Sequence, residues 1–222
     1  LVLQWTDWRG IFVVLAVVAG VVAFVVIGGD EASADEVVLE PVAAATPDPF
    51  TESVAEGEDA GAADVARLEP SGSDSGAGEQ VPGATPGLYG GTRDAATCDA
   101  DQLVAFLQSN PDKAAAWAGV HGITVAGIPA YVATLTPVIL TRDTRVTNHG
   151  FADGKATTIP AVLQAGTAVM VDEFGVPRVK CGCGNPLTEP TPVTRRTRYT
   201  GTRWSGFSIS TVVVVNVTVQ VE

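Results

Sequence analysis

The chain has 222 residues, three cysteines and a formal net charge of −12. The charge is uneven, because residues 30–80 hold fourteen acidic side chains against one base, Arg67, whereas residues 81–222 hold ten acids and eleven bases. The acidic excess is therefore confined to one segment, and the chain as a whole is not uniformly acidic. The composition also excludes a wholly disordered chain, because the near-neutral part is long enough to bury a single core.

The first predicted element is a membrane-spanning helix. Residues 10–29 carry no charged side chain, and as a helix they would span about 30 Å, the thickness of bilayer hydrocarbon. Trp5, Trp8 and Arg9 precede this uncharged run and acids follow it, so we expect residues 1–29 to form an anchor with the rest of the chain outside. The alternative is a cleaved signal peptide, because residues 32–34 fit an Ala-x-Ala cleavage site, although signal-peptide hydrophobic regions are shorter. The chain does not begin with Met, as would be expected of a fragment whose cytosolic part precedes Leu1.

Residues 30–86 predict a disordered acidic linker. The segment is rich in Ala, Gly, Pro, Ser and acid, and Phe50 is the one aromatic residue among residues 30–80. Such a composition buries too little apolar surface to offset chain entropy, and its like charges repel one another. We expect a spacer that holds a folded domain away from the membrane. An acidic tail that binds metal ions or basic polymers is the alternative.

Residues 87–222 predict an extracytoplasmic α+β domain, which begins with helices. Residues 99–108 combine an Asp99 cap with an apolar stripe at helical spacing, and residues 110–118 place Pro111 in a first turn. Residues 124–135 repeat the helical spacing.

Strands are predicted after Pro137 at 138–140, 145–147, 167–172 and 176–180, with Pro177 needing an edge position. Strict alternation of valine with polar residues over 215–221 predicts a last strand with one buried face. Helices followed by strands indicate an α+β fold with a mostly antiparallel sheet.

Several stretches of the domain are distinctive. They are GGTRD at 90–94 leading to Cys98, NPDKAAAWAG at 110–119, VTNHGF at 146–151, and AVLQAGTAV at 161–169 running into VPRVKCGCGNPL at 176–187. Together they resemble an actinobacterial family known only as a domain of unknown function. The resemblance implies an extracytoplasmic domain behind a single membrane segment, in some members within a protein that carries a serine/threonine kinase. It implies no reaction and no catalytic residue, and the chain itself shows no kinase motif.

The three cysteines predict one disulfide. In an oxidising compartment we expect Cys98 to pair with Cys181 or Cys183, which leaves one cysteine over. A zinc site of the three cysteines with His149 or His121 is an alternative, but Cys-x-Cys is not the usual zinc knuckle spacing. A redox-active Cys181-x-Cys183 pair is a further alternative.

The candidate binding residues are mainly basic. Arginines at 195, 196, 198 and 203 form a basic run that ends at Trp204, and it is interpreted either as a solvated loop or as a patch for anionic wall polymer, lipid headgroups or the acidic linker. His149 is interpreted as a loop residue, or as a base working with Asp143 or Asp153. A nucleic-acid partner is not expected for an outward-facing domain, and no cofactor is expected.

The sequence therefore favours a non-catalytic, membrane-tethered extracytoplasmic domain for sensing or cell-envelope interaction. Two alternatives remain: a wall-associated enzyme that uses His149 and nearby acids, and a structural envelope component. A cavity that gathers His149, Asp143 and Asp153 would favour the enzyme.

Overall fold

A computed structural model of the chain describes residues 36–42, 44–46, 48–55, 78–91, 98–193 and 197–216. Its contacts separate Leu1–Ala34 from Asp35–Glu222, and every described residue belongs to the second unit. The predicted membrane helix at 10–29 lies outside the described residues. Within them, no single helix has the length and apolarity to cross a bilayer; one bent pair, Pro111–His121 with Val125–Val132, meets the test by length and composition alone.

The helices follow their sequence signals closely. Helix α1 spans Ala100–Ser109, with the Asp99 side chain accepting the Gln102 N–H at 2.8 Å, and α2 spans Pro111–His121, with Pro111 in its first turn. These two predictions are confirmed. The predicted third helix is shorter: a 3₁₀ turn at Val125–Gly127 leads into a single helical segment, α3, at Ile128–Val132.

Most of the described domain is β-structure. Its strands are β1 Glu36–Glu40, β2 Glu79–Pro82, β3 Tyr89–Gly90, β4 Thr136–Leu140, β5 Thr144–Asn148, β6 Phe151–Ala152, β7 Lys155–Ala156, β8 Ile159–Leu163, β9 Ala168–Val171, β10 Pro177–Lys180, β11 Asn185–Thr188, β12 Arg198–Gly201 and β13 Val213–Asn216. One sheet runs in the order β12-β1-β8-β5-β11-β10-β9-β4-β3, with β13 joining both β5 and β2, and β6 and β7 form a separate hairpin.

The sheet is mostly antiparallel, as predicted. The strands from β3 to β11 pair antiparallel with one another. The two ends of the described chain pair differently: β1 lies parallel to both β8 and β12, and β13 lies parallel to β2 and β5. The fold is therefore α+β, with the terminal segments inserted into a sheet built by the middle of the chain.

The predicted disordered linker is wrong for the residues that the structure describes between 36 and 86. Strand β1 lies inside the sheet with Val37 and Leu39 buried, Phe50 and Val54 are buried in the core, and β2 pairs with β13. The physical reason is that three apolar residues, 37–39, suffice for a strand that joins an existing sheet. A charge count averaged over fifty residues conceals them. The rest of the expected linker, at 30–35, 43, 47 and 56–77, lies outside the described residues.

Pro177 does not need an edge strand. Strand β10 has neighbours on both sides, but its register with β11 begins only at Val179, and its pairing with β9 shifts between Pro177 and Val179. The missing N–H of Pro177 therefore falls where the ladder is already interrupted. At the C-terminus, Val213, Val214 and Val215 are all buried, and most of the predicted alternation lies beyond the described residues.

Strand β10 separates two layers of the core. Val179 of this strand and Cys181, which follows it, face the helices in a cluster with Trp117, Leu103 and Leu107. Lys180 points to the opposite face of the strand, where the neighbouring strands contribute a second apolar cluster that includes Val146, Leu163, Val169 and Leu187. A charged side chain thus lies on an inner face of the sheet.

Candidate functional site

A disulfide joins the helical layer to the sheet. Cys98, just before α1, is bonded to Cys181, just after β10, with 5.6 Å between their Cα atoms and a sequence separation of 83. Both residues are buried. The predicted pairing of Cys98 with one of the two neighbouring cysteines is confirmed, and the partner is Cys181.

The remaining thiol is enclosed. Cys183 is free and buried, and burial raises the pKa of its thiol. The zinc alternative fails because two of its three thiolates are consumed by the disulfide. Within the described part of the chain, no group of three or more His, Cys, Asp and Glu side chains could hold a metal ion.

His149 is held by hydrogen bonds on both ring nitrogens. Its Nδ1 lies 2.8 Å from the Thr157 carbonyl oxygen and its Nε2 lies 3.0 Å from the Thr188 hydroxyl. Burial lowers the pKa of the imidazole, so the ring is neutral, with Nδ1 donating and Nε2 accepting.

The structure does not bring His149 and Asp143 together. They lie at opposite ends of β5, about 20 Å apart along the strand. The Asp143 carboxylate accepts from the Ala165 N–H at 2.9 Å and the Trp204 indole N–H at 3.1 Å. Asp153 lies in the turn between β6 and β7, with a positive φ of 50°. Both ring nitrogens of His149 are taken by Thr157 and Thr188, so neither carboxylate is a hydrogen-bond partner of the imidazole.

The described part of the predicted basic run forms an aromatic cluster with a charged rim. Trp204 and Phe207 pack edge to face at 5.0 Å between ring centroids, and the Arg203 guanidinium lies 5.6 Å from the Phe207 ring. Arg198 is exposed on β12, an edge strand of the sheet. Arg195 and Arg196 lie outside the described residues, and His149 is at the far end of β5 from this cluster.

A surface groove lies between the helices and the sheet. It has a volume of about 580 Å³ and runs between the end of α2, Tyr131 of α3, and the β9–β10 turn, with Glu189 beyond β11 closing one side. Phe174, in the β9–β10 turn, leaves 51% of its side chain exposed. The groove therefore offers an aromatic ring to solvent among charged side chains.

Arg178 organises the charges of the groove. Its Nε donates to the Asp172 carboxylate at 2.8 Å and its Nη2 donates to the Glu189 carboxylate at 3.0 Å. Asp172 is fixed from the other side, because its Oδ1 also accepts the backbone N–H groups of Phe174 and Val176. Burial opposes the charge of Glu189, but a backbone hydrogen bond and the Arg178 guanidinium together outweigh it and hold the pKa of this carboxyl below its usual range, so Glu189 is an acceptor at neutral pH.

Two ring side chains, His121 and Tyr131, line the helical side of the groove, and the fully buried Trp117 packs against His121. His121 lies between Trp117 and Tyr131, with ring centroids 4.4 Å and 4.8 Å away, and its Nδ1 is 3.3 Å from the Tyr131 hydroxyl. Burial, reinforced by the nearby Arg178, lowers the pKa of His121 to about 3. The imidazole is therefore neutral, and it acts as part of an aromatic wall.

A second cluster of polar side chains lies inside the sheet. The Lys180 ammonium contacts the Glu40 carboxylate at 2.7 Å, and both side chains are only 5% exposed. Asn148 and Asn185 adjoin this pair and are fully buried. This cluster, the buried polar network, joins β1 to the strands β5, β10 and β11.

Sequence reasoning missed both the groove and the network. Glu40 lies in the segment that is predicted to be a linker, and Asn148 precedes the more conspicuous His149. One sequence pattern does point to the network. Asn148 lies two residues after the apolar Val146, and this spacing predicts a polar side chain on the buried face of β5.

Residues 79–222 match the family model of a domain of unknown function, DUF6777, and the chain belongs to that family. No curated protein and no solved structure shows significant similarity to the chain. Strand β1 and the buried residues around Phe50 precede the matched region, yet they are part of the same folded unit.

Proposed function

We propose that this chain is a non-catalytic, membrane-tethered domain that contacts the cell envelope outside the cytoplasm. The observation that carries the proposal is the buried Cys98–Cys181 disulfide, because structural disulfides are formed and kept in oxidising compartments. The uncharged run at residues 10–29 supplies the tether. The enzyme alternative has less support, because His149 is far from Asp143 and both of its ring nitrogens bond to threonine residues.

The groove is the proposed contact site, and a glycan strand fits its chemistry. A sugar ring has an apolar face that packs on an aromatic ring such as Phe174, and hydroxyls that bond to carboxylates and guanidinium groups. Asp172, Arg178 and Glu189 are already fixed by one another. A bound glycan would therefore meet acceptors and a donor that need no rearrangement.

Co-sedimentation with purified insoluble cell-wall glycan tests this proposal. The wild-type protein should sediment with the glycan, and Phe174→Ala should weaken binding about five- to tenfold through loss of the stacking surface. Val125→Ala is the matched control, because Val125 is 48% exposed and does not line the groove. Absence of binding by the wild-type protein, or equal loss in both variants, would contradict the proposal.

A second candidate is an anionic wall polymer or a lipid headgroup at the basic edge. Its support is the exposure of Arg198 and Arg203 beside the aromatic cluster of Trp204 and Phe207. Binding of this kind weakens as salt rises, because the Debye length falls from about 10 Å at 0.1 M to about 3 Å at 1 M. If the double variant Arg198→Gln with Arg203→Gln loses binding and Phe174→Ala does not, the basic edge is the site.

A separate experiment tests the proposed orientation of the chain across the membrane. Protease added to intact protoplasts should digest residues beyond 30, because the only base flanking the uncharged run precedes it. Protection equal to that of a cytosolic marker would refute the outward orientation.

A further inference from the structure

The residues of the buried polar network share one face of the sheet. Lys180 is paired with Asn185 across β10 and β11, and Leu187, two residues further on, is paired with Asn148 of β5. Directly opposed residues and residues two apart lie on the same face, so Lys180, Asn185 and Asn148 point the same way. Glu40 reaches the same face from β1.

The Glu40 carboxylate bridges an amine and an amide. Its Oε2 accepts from Lys180 Nζ at 2.7 Å and from Asn148 Nδ2 at 3.1 Å, and its Oε1 accepts from Asn148 Nδ2 at 2.9 Å. The Lys180 nitrogen and the Asn148 amide nitrogen therefore meet at one oxygen atom. All three side chains are nearly or wholly excluded from solvent.

Two further residues hold the reacting groups in place. Thr46 Oγ1 accepts a second hydrogen bond from Lys180 Nζ at 2.7 Å. Asn185 Nδ2 donates to Asn148 Oδ1 at 3.1 Å, and Asn185 is itself fixed because its Oδ1 accepts the Phe50 N–H at 2.9 Å. The carbonyl oxygen of the Asn148 amide thus has a donor that can stabilise negative charge on it.

We propose that Lys180 and Asn148 form an intramolecular isopeptide bond, with Glu40 as the proton carrier. Three features of the site favour this reaction: the nucleophile and the amide share a carboxylate, the carbonyl oxygen faces a fixed donor, and water is excluded. The reaction also replaces a buried ion pair, which is costly to desolvate, by neutral groups.

The reaction balances with these groups alone. A proton moves from the Lys180 ammonium to Glu40, leaving an amine whose electron pair attacks Cγ of Asn148, and the displaced electron pair moves onto Oδ1 beside Asn185. Glu40 then gives a proton to Nδ2 and takes one from Nζ. The bond between Cγ and Nδ2 breaks and ammonia leaves. One amide has been exchanged for another, nothing is oxidised or reduced, and Glu40 ends as a neutral acid facing the new amide.

The intact mass of the full chain tests the proposal. After reduction of the disulfide and denaturation, the wild-type protein should be lighter than its sequence by one ammonia. Lys180→Arg, Asn148→Ala and Glu40→Gln should each have the full sequence mass. Lys155→Arg, which changes an exposed lysine, should retain the loss of ammonia.

Peptide mapping places the bond independently of how well any variant folds. Acylation of Lys180 blocks tryptic cleavage after it, so digestion of the reduced and alkylated wild-type protein should release peptide 146–155 joined to peptide 179–195. Two separate peptides with cleavage after Lys180 would overturn the proposal. Loss of ammonia located at any other pair, or hydrolysis of Asn148 to aspartate, would overturn it as well. The result does not depend on glycan binding, so this proposal and the proposed function fail separately.

Discussion

His121 shows how a single side chain couples acidity to stability. It is wedged between Trp117 and Tyr131, and burial lowers its pKa from the usual 6.5 to about 3. Between these two values the unfolded chain holds a proton that the folded chain does not. Protonation therefore draws the protein toward the unfolded state as the pH falls through this window.

We expect the free energy of unfolding to fall as the pH drops from 6.5 toward 3, by up to about 1.4 kcal/mol per pH unit from His121 alone. His121→Phe keeps an aromatic ring at this position and cannot be protonated, so it should flatten this slope. Urea unfolding at pH 6.5 and at pH 5 measures this slope. The range is chosen because most carboxylates titrate below it. A slope equal to that of the wild-type protein would contradict the assignment.

At the scale of elements, the segment 48–55 is fastened to the loop after β10. The Thr51 N–H donates to the Cys183 carbonyl and the Val54 N–H to the Cys181 carbonyl, each at 2.9 Å. The Trp117 indole N–H donates to the Gly184 carbonyl at 3.1 Å. Gly184 itself has a φ of +61°, and a Cβ there would overlap the Thr51 side chain.

Gly184→Ala should therefore lower the free energy of unfolding by about 1–3 kcal/mol, from backbone strain and overpacking together. Gly119→Ala in α2 is the matched control, because a Cβ there meets nothing within 4 Å. That change should raise stability by up to about 1 kcal/mol, since alanine is the better helix former. Thermal and urea unfolding of the two variants measure both effects, and equal stability of the two would refute this account.

The N-terminal segment should be needed for folding. A chain shortened to begin at residue 79, where the family match starts, would lose β1, Phe50 and Val54 and would leave Lys180 without its carboxylate. Leaving one partner of a buried ion pair alone costs about 3–5 kcal/mol. We expect this shortened chain to unfold at far lower urea concentration than one that begins at residue 31, and comparable midpoints would contradict the expectation.

The sequence predicted those helices and strands that are marked by residues within the element itself. Asp99 and Pro111 mark the first turns of α1 and α2, and Val146 and Val169 lie in strands with clear apolar patterns. It could not reveal β1, because that strand is stabilised by β8 and β12, more than a hundred residues away in the chain. The groove and the buried polar network were missed for the same reason, since the residues of each come from several elements.

At the scale of the whole molecule, the disulfide links two parts that fold from distant sequence. Helix α1 begins directly after Cys98, and Cys181 directly follows β10. For a closed loop of this length the chain-entropy model gives a stabilisation of about 4.5 kcal/mol. Most of that stabilisation should disappear on reduction.

The double variant Cys98→Ala with Cys181→Ala should lose a comparable amount of stability. Cys183→Ala is the control, because Cys183 is buried but not bonded to another cysteine, and it should cost no more than the small cavity it leaves. Urea unfolding with and without reductant measures both. If the reductant destabilises the wild-type protein no more than it does the double variant, the disulfide contributes nothing to folding.

The position of β1 also governs how the domain bears mechanical load. Tension entering at Glu36 pulls β1 along its own axis, between parallel neighbours on both sides. In that direction the ladders on both edges are sheared together, whereas a strand peeled from a sheet edge breaks its hydrogen bonds one at a time. The far end of the strand is held through the buried Glu40 side chain, which contacts Lys180 and Asn148. A domain pulled from its N-terminal side would therefore resist force through a strand that is hydrogen-bonded on both edges.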